Sequence, residues 1–167
     1  NRRFSPHSLA IKDWLRGSPS NKAIIITVNA GAIPEKHWTQ NKQVGGGRIV
    51  GEACHFIDLA RYLADSPIVF SRAFPVQGGD GRLGDVSTLQ LTFANGSTAS
   101  IHYFANGHKN FPKERIEVFA GGKIYCCDNF RSTREVGGSR RLKTSAQDKG
   151  HRNELAAFVS EIGRAHV

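Results

Sequence analysis

The chain has 167 residues, of which 39% are hydrophobic and 22% are charged, a balance typical of a globular protein with one packed core. No apolar run reaches the ~20 residues of a membrane-spanning helix, so no membrane partner is expected. The formal net charge of +9 favours anionic ligands. The basic residues are scattered and not interleaved with aromatic ones, so nucleic acid is not expected as a partner.

The first predicted element is a helix over residues 5–17. Ser5 is a good N-cap residue, Pro6 fits the first helical turn, and Gly17 ends the segment. We expect its buried side to be formed by Leu9, Trp14 and Leu15.

A strand and a long loop follow. Residues 22–33, KAIIITVNAGAI, form a nearly continuous apolar, β-branched run, which predicts a strand buried on both faces. Residues 34–47 are polar and rich in glycine and contain the neighbours His37 and Trp38. Loops of this length in compact domains are often functional.

The next segment, GGGRIVGEACHFIDLARYL over residues 45–63, begins with three glycines and continues with helical periodicity. The titratable residues Glu52, His55 and Asp58 stand three positions apart inside it. The apolar positions of the predicted helix are Ile49, Val50, Ala53, Phe56, Ile57, Ala60 and Leu63.

The second half of the chain changes to the alternation of strands. Residues 85–105 and 115–128 read as two hairpins, with turns at Asn95-Gly96 and Gly121-Gly122. Further strands are predicted near residues 68–76, 131–136 and 140–144, and a helix over 149–162. This order predicts an α+β fold, in which a largely antiparallel open sheet has helices packed on one face.

The chain contains three cysteines, Cys54, Cys126 and Cys127. An odd number with one adjacent pair is a poor disulfide framework, so reduced thiols and a cytoplasmic location are expected. Neighbouring cysteines on a strand point to opposite faces, so we predict no metal site.

Several of these segments together resemble the second domain of the Gfo/Idh/MocA oxidoreductases. The segment over residues 45–63 carries the resemblance, supported by NRRFSP at residues 1–6, VNAGAIPEKHW at 28–38 and GHRNELAAFV at 150–159. The resemblance implies a two-domain enzyme whose N-terminal Rossmann domain binds NAD or NADP. The second domain supplies the substrate site and often an oligomer contact through its open sheet.

The chain itself resembles the second domain alone. It has no glycine-rich dinucleotide fingerprint after a strand, and the lysine that the family's cofactor domain contributes is absent. We therefore expect residues 1–160 to be this domain and further residues to precede them. The segment EIGRAHV can be encoded by a common sequencing-adaptor string, so residues 161–167 are predicted to be a non-native read-through tail; a native helix end is the alternative.

The resemblance implies that His55 is the general acid/base, a role that suits an imidazole with a pKa near the working pH. The family usually has an aspartate four residues earlier, where this chain has Gly51. Glu52 stands three residues before His55, so one helical turn is expected to bring the two together. Either Glu52 replaces the aspartate as a catalytic carboxylate, or that carboxylate is lost. Asp58 is expected to be structural, in a salt bridge with Arg61 or Arg2.

Five further residues are candidates for contact with substrate or cofactor. They lie near the expected site in the chain, and each has a plain structural alternative, such as a surface charge or a loop anchor. They are Arg2, Asn29, His37, Trp38 and Arg48.

The function predicted is an NAD(P)-dependent oxidoreductase that acts on a sugar, cyclitol or nucleotide-sugar, with the present chain inactive on its own. A non-catalytic family member that acts as a binding or scaffold protein is the alternative. A nucleic-acid-binding domain, suggested only by the charge, ranks last.

Overall fold

The computed structural model describes residues 1–18, 21–34, 37–41, 43–76 and 85–165. Within them it has three α-helices and one eight-stranded sheet, so the predicted α+β class is confirmed. The elements in chain order are α1 (Pro6–Trp14), β1 (Ala23–Asn29), α2 (Cys54–Ala64), β2 (Ile68–Pro75), β3 (Val86–Phe93), β4 (Thr98–Phe104), β5 (Glu114–Ala120), β6 (Lys123–Asp128), β7 (Ser132–Glu135), β8 (Arg141–Lys143) and α3 (His151–Ala165). Residues 35, 36 and 42 of the predicted loop, and 166 and 167 of the predicted tail, lie outside the described residues.

The sheet has the strand order β2-β3-β4-β1-β5-β6-β7-β8. Strand β1 pairs in parallel with β4 and antiparallel with β5, and the remaining neighbours are antiparallel. The prediction that β1 is buried on both faces is wrong. Ile24, Ile26 and Val28 are buried under the helices, whereas Ile25 and Thr27 on the opposite face are only partly covered.

Both predicted hairpins are present. The Asn95-Gly96 turn joins β3 to β4, and Gly96 has a φ of +81°, a left-handed conformation that favours glycine. Gly121-Gly122 joins β5 to β6 in the same way. In β3 the side chains of Leu89, Leu91 and Phe93 are buried on one face, as the alternation predicts.

Helix α1 begins as predicted, because the side chain of Ser5 accepts a hydrogen bond from the backbone N–H of His7. Its buried stripe is formed by His7, Ile11 and Leu15, at four-residue spacing. The expectation that Leu9 is buried is wrong, and Leu9 is exposed. The polar His7 is buried instead, which a search for apolar positions alone does not predict.

The burial of His7 predicts a stability that depends on pH. Its Nδ1 shares a 2.8 Å hydrogen bond with Thr133 Oγ1, its Nε2 shares one of 3.1 Å with Thr144 Oγ1, and burial lowers its pKa against the opposing charge of Asp148. The folded state therefore favours the neutral ring, and the unfolded state binds more protons below about pH 6.5. We expect urea unfolding to show a stability that is full above about pH 7 and falls as the pH drops from 7 to 5. His7→Gln should make this loss smaller, and a variant as pH-sensitive as the wild type would contradict the assignment.

Helix α2 differs from the prediction at its start. The chain forms a π-helical turn over Ile49–Ala53 before regular helix begins at Cys54. The buried face includes Leu59, which was not expected, and excludes Val50, which is exposed. The wider turn shifts the residues before Cys54 out of α-helical register. None of the described helices has both the length and the apolarity that crossing a membrane requires.

Candidate active site

The candidate site lies at the end of the sheet at which the central strand β1 terminates. Asn29, the last residue of β1, donates from Nδ2 to the carbonyls of His108 (2.9 Å) and Phe111 (3.2 Å). A Cβ on Gly107 would lie 2.1 Å from Asn29 Oδ1, so the loop between β4 and β5 packs directly on this amide. The Asn29 side chain therefore anchors a loop at the edge of the site.

The glycine loop before α2 folds back on a short 3-10 helix, Trp38–Gln40. A Cβ on Gly45 would lie 2.7 Å from Thr39 Cα, which only glycine permits. The side chain of His37 caps this helix through Thr39, and the Trp38 side chain is 61% exposed. Both candidates thus lie on the protein surface beside the glycine loop.

Arg48, Glu52 and Tyr103 of β4 form one hydrogen-bonded cluster. Arg48 donates from Nε to Glu52 Oε1 (3.1 Å) and from Nη2 to Glu52 Oε2 (3.3 Å). It also donates from Nη1 to the carbonyl of Gly31 (2.6 Å), just after β1. Tyr103 donates its hydroxyl to Glu52 Oε2 at 2.5 Å. The Arg48 side chain is 2% exposed, so its guanidinium is committed inside the protein and not presented to a phosphate.

The electrostatics of this cluster favour an ionised Glu52. Burial raises its pKa, but the hydrogen bonds from Arg48 and Tyr103 and the charges of Arg48 and Lys113 outweigh burial and leave the pKa below its usual value. Burial and the neighbouring Glu52 carboxylate raise the pKa of Tyr103 well above its usual range. The tyrosine is therefore a fixed hydrogen-bond donor.

His55 lies at the start of α2 and lines a cleft of about 370 Å³. Burial and the charge of Arg2 lower the pKa of its imidazole, and the carboxylates of Glu154 and Asp58 oppose them. The cleft is lined by Asn1, Arg3, Phe4, Cys54, His55, Asp58 and Glu154. A half-buried imidazole that is neutral near pH 7 can accept a proton from a ligand in this cleft.

The expected pairing of Glu52 with His55 is not found. Within the described part of the chain, the hydrogen-bond partners of Glu52 are Arg48 and Tyr103, and the carboxylates that act on His55 are Asp58 and Glu154. The physical reason is the π-helical turn, which separates Glu52 from His55 around the helix axis.

The expected salt bridge of Asp58 exists, but its partner is Arg3, not Arg61 or Arg2. Arg3 donates from Nε to Asp58 Oδ2 at 2.7 Å and from Nη2 to Oδ1. Arg3 belongs to a short 3-10 helix, Arg2–Phe4, that packs on α2. This pair forms one wall of the His55 cleft.

Arg2 belongs to a second ionic cluster at the same end of the sheet. It donates from Nη2 to Glu114 Oε1 (2.8 Å), and Lys149 donates from Nζ to the same oxygen (3.2 Å). The Arg2 guanidinium lies 5.2 Å from the centre of the Phe56 ring. The Glu114 side chain is fully buried, so Arg2 neutralises an internal charge instead of standing free on the surface.

The sequence reasoning did not find Tyr103, Glu114 or Lys149. The ion pair of Arg48 and Glu52 could have been predicted, because oppositely charged residues four positions apart often pair on a helix. No local pattern indicates that Tyr103 or Glu114 reaches the site, because each contact joins distant parts of the chain.

Comparison with known proteins places the chain in a known context. A family model described as the GFO/IDH/MocA C-terminal domain matches residues 22–122. No curated protein sequence matches the chain.

Many solved structures share the fold. A putative myo-inositol dehydrogenase from Sinorhizobium meliloti is 22% identical, with a TM-score of 0.71 over 98% of this chain and 54% of its own. The UDP-N-acetylglucosamine 3-dehydrogenase GnnA from Acidithiobacillus ferrooxidans is 18% identical, with a TM-score of 0.71 over 99% of this chain and 52% of its own. GenD2 from gentamicin A biosynthesis, in complex with NAD, is 14% identical, with a TM-score of 0.68 over 95% of this chain and 51% of its own. The chain therefore spans about half the length of the structures it matches.

Proposed function

The chain belongs to the GFO/IDH/MocA C-terminal domain family, and from this premise we propose that it is the substrate-binding and catalytic half of an NAD(P)-dependent oxidoreductase. The substrate class is a sugar, cyclitol or nucleotide-sugar, at a hydroxyl or carbonyl group. Structures of the same fold that are named as a putative myo-inositol dehydrogenase and as a UDP-N-acetylglucosamine 3-dehydrogenase support this class. Residues 1–160 form the domain in this proposal, and residues 161–167 keep their predicted status as a tail.

The observation that carries the proposal is the His55 cleft. Burial and Arg2 favour the neutral imidazole, which is the form that accepts a proton from a substrate hydroxyl. Asp58 and Glu154 line the same cleft and stabilise the imidazolium after the proton has moved. His55 is therefore the proposed general acid/base of the reaction.

An exposed aromatic pair supports a contact with the nicotinamide end of the cofactor. When bound, the nicotinamide accepts or supplies the hydride. The exposed indole of Trp38 offers an apolar surface for a planar ring, and His37 stands beside it. The buried guanidinium of Arg48 is not free to hold a pyrophosphate, so that group is assigned to a cofactor domain outside this chain.

The remaining candidates take supporting roles in the proposal. Arg2 sets the charge near His55, and Asn29 holds the loop that borders the edge of the site. Glu52 is the second catalytic candidate. The free thiols of Cys54, Cys126 and Cys127 support the proposed cytoplasmic location.

A homo-oligomer through the open face of the sheet is also proposed. Thr88, Gln90 and Thr92 of β3 lie on the face away from the helices, and edge strand β2 exposes Val69 and Phe70. An apolar edge next to a polar sheet face suits pairing with a second copy. We expect sedimentation of the full-length protein to show a dimer or larger species, and Val69→Lys to weaken it; a monomer at micromolar concentration would contradict this.

One observation favours the non-catalytic alternative. Gly51 occupies the position of the family's usual aspartate, and the neighbouring Glu52 is engaged with Arg48 and Tyr103 instead of His55. A protein that binds sugars without turnover is compatible with this arrangement.

The experiment that separates the two is a turnover assay of the full-length protein, meaning this chain together with the cofactor domain. NAD⁺ and NADP⁺ are each tested with a panel of neutral polyols and nucleotide-sugars, and reduction of the nicotinamide is followed by absorbance. We expect turnover by the full-length protein and none by the 167-residue chain. Sugar binding without turnover across the panel would favour the scaffold alternative.

A further inference from the structure

The two carboxylate oxygens of Glu52 accept different numbers of hydrogen bonds. Oε2 accepts two hydrogen bonds, from Arg48 Nη2 (3.3 Å) and from the Tyr103 hydroxyl (2.5 Å). Oε1 accepts one, from Arg48 Nε (3.1 Å). A carboxylate has about four acceptor positions, so among the described residues one position on Oε1 is left open. The Glu52 side chain is 34% exposed, so a ligand can reach part of it.

The two donors are held rigidly. The guanidinium of Arg48 is anchored at its other end by the carbonyls of Gly31 (2.6 Å) and Ala30 (3.4 Å), directly after β1. The Tyr103 side chain is fully buried in β4, and its ring lies 5.6 Å below the Arg48 guanidinium. Because β1 and β4 are paired neighbours in the sheet, both donors are fixed to one rigid platform.

Neither donor can exchange a proton with Glu52 near neutral pH. An arginine stays protonated in proteins, and burial holds the Tyr103 hydroxyl in its protonated form. Hydrogen bonds to an ionised group are stronger than those between neutral groups, which stabilises the carboxylate form of Glu52. A group held in this way suits recognition better than proton transfer.

We propose that Arg48 and Tyr103 are positioning residues that hold Glu52 as an ionised hydrogen-bond acceptor, with the open position on Oε1 receiving a hydroxyl of the substrate. The part that concerns the substrate rests on the proposed function. An ionised carboxylate accepts a hydrogen bond from a hydroxyl and repels an anion. A hydroxyl of a neutral polyol therefore fits this position, and a carboxylate or phosphate does not. Proton transfer is then left to His55.

The positioning is tested without turnover. The 167-residue chain is labelled at the glutamate side-chain carboxyl carbon, the Glu52 signal is assigned by its loss in Glu52→Gln, and its pH titration is followed by NMR. We expect a midpoint below the ordinary glutamate value of about 4.3. Tyr103→Phe, which removes only the hydroxyl, should raise that midpoint.

Tyr125→Phe is the matched control, because its hydroxyl donates to the carbonyl of Trp14 (3.3 Å) and not to Glu52. It should leave the Glu52 midpoint unchanged. A Glu52 midpoint at or above the ordinary value, or one that Tyr103→Phe does not move, overturns the positioning role.

The substrate contact is tested by the split between KM and kcat in the full-length protein. Glu52→Gln and Tyr103→Phe should raise KM for a neutral polyol about tenfold and change kcat less than about threefold, as expected for a binding contact. A loss of kcat at constant KM would make Glu52 a proton carrier and overturn the proposal, and unchanged kinetics would leave only a structural pair and overturn it too. A full-length protein without turnover removes the proposed function and the substrate contact together, while the NMR titration still decides the positioning role.

Discussion

Replacing His55 by alanine is expected to lower kcat of the full-length protein by about 10²- to 10⁴-fold, the usual contribution of a positioned general acid/base. The imidazole lines the cleft and is held neutral by burial and by Arg2, so its loss leaves the substrate hydroxyl without a proton acceptor. The measurement is steady-state nicotinamide reduction at saturating substrate and pH 7.5.

His102→Ala is the control for this prediction. His102 of β4 shares a 3.0 Å hydrogen bond with Thr88 on the sheet face away from the helices, and its ring packs against Phe104 instead of lining the cleft. It should retain kcat within a few-fold, and thermal unfolding should show that both variants keep their fold. Equal activity of His55→Ala and the wild type would contradict the general acid/base role and leave His55 with a structural one.

Replacing Glu114 by alanine is expected to cost about 3 kcal/mol of the free energy of unfolding, the lower end for breaking a buried ion pair. The Glu114 carboxylate is fully buried and neutralises both Arg2 and Lys149, whose side chains are 12% and 17% exposed. Its removal leaves two mostly buried cations without the carboxylate that pairs with them. Urea unfolding at pH 7 measures the change through the transition midpoint.

Glu117→Ala on the same strand is the matched control. Glu117 pairs with Arg115 on the partly exposed face of the sheet, where an ion pair contributes roughly 0–1 kcal/mol. The two variants remove the same group from β5, three positions apart, so they differ in burial and partners. Equal shifts of the two midpoints would contradict the account of the Arg2–Glu114–Lys149 cluster.

Much of the fold was accessible from local sequence patterns. The dipeptides Asn95-Gly96 and Gly121-Gly122 specify tight turns between alternating segments, so two hairpins follow from turn chemistry alone. The family could also be named in advance, because several motifs occur in the family's order. Burial was harder to predict from the sequence, because it depends on which elements pack against each other. Leu9 is exposed, and β1 is buried on one face only.

The site was predicted in part, and the reason lies in the range of its contacts. His55 and Glu52 are local motif positions, but the π-helical turn that separates them has no signature in the residues themselves. The hydroxyl of Tyr103 reaches Glu52 across 51 positions of sequence, and Arg3 reaches Asp58 across 55. Only the assembled fold brings such partners together.

The most direct test of the account is the pH dependence of kcat/KM for the full-length protein with a neutral polyol. If His55 is the general base, activity should fall on the acid side with a midpoint below the ordinary imidazole value of about 6.5, because its pKa is lowered. That acid limb should be absent from the residual activity of His55→Ala. An acid limb that persists in His55→Ala, or a rate independent of pH between 5 and 8, would contradict the assignment of proton transfer to His55.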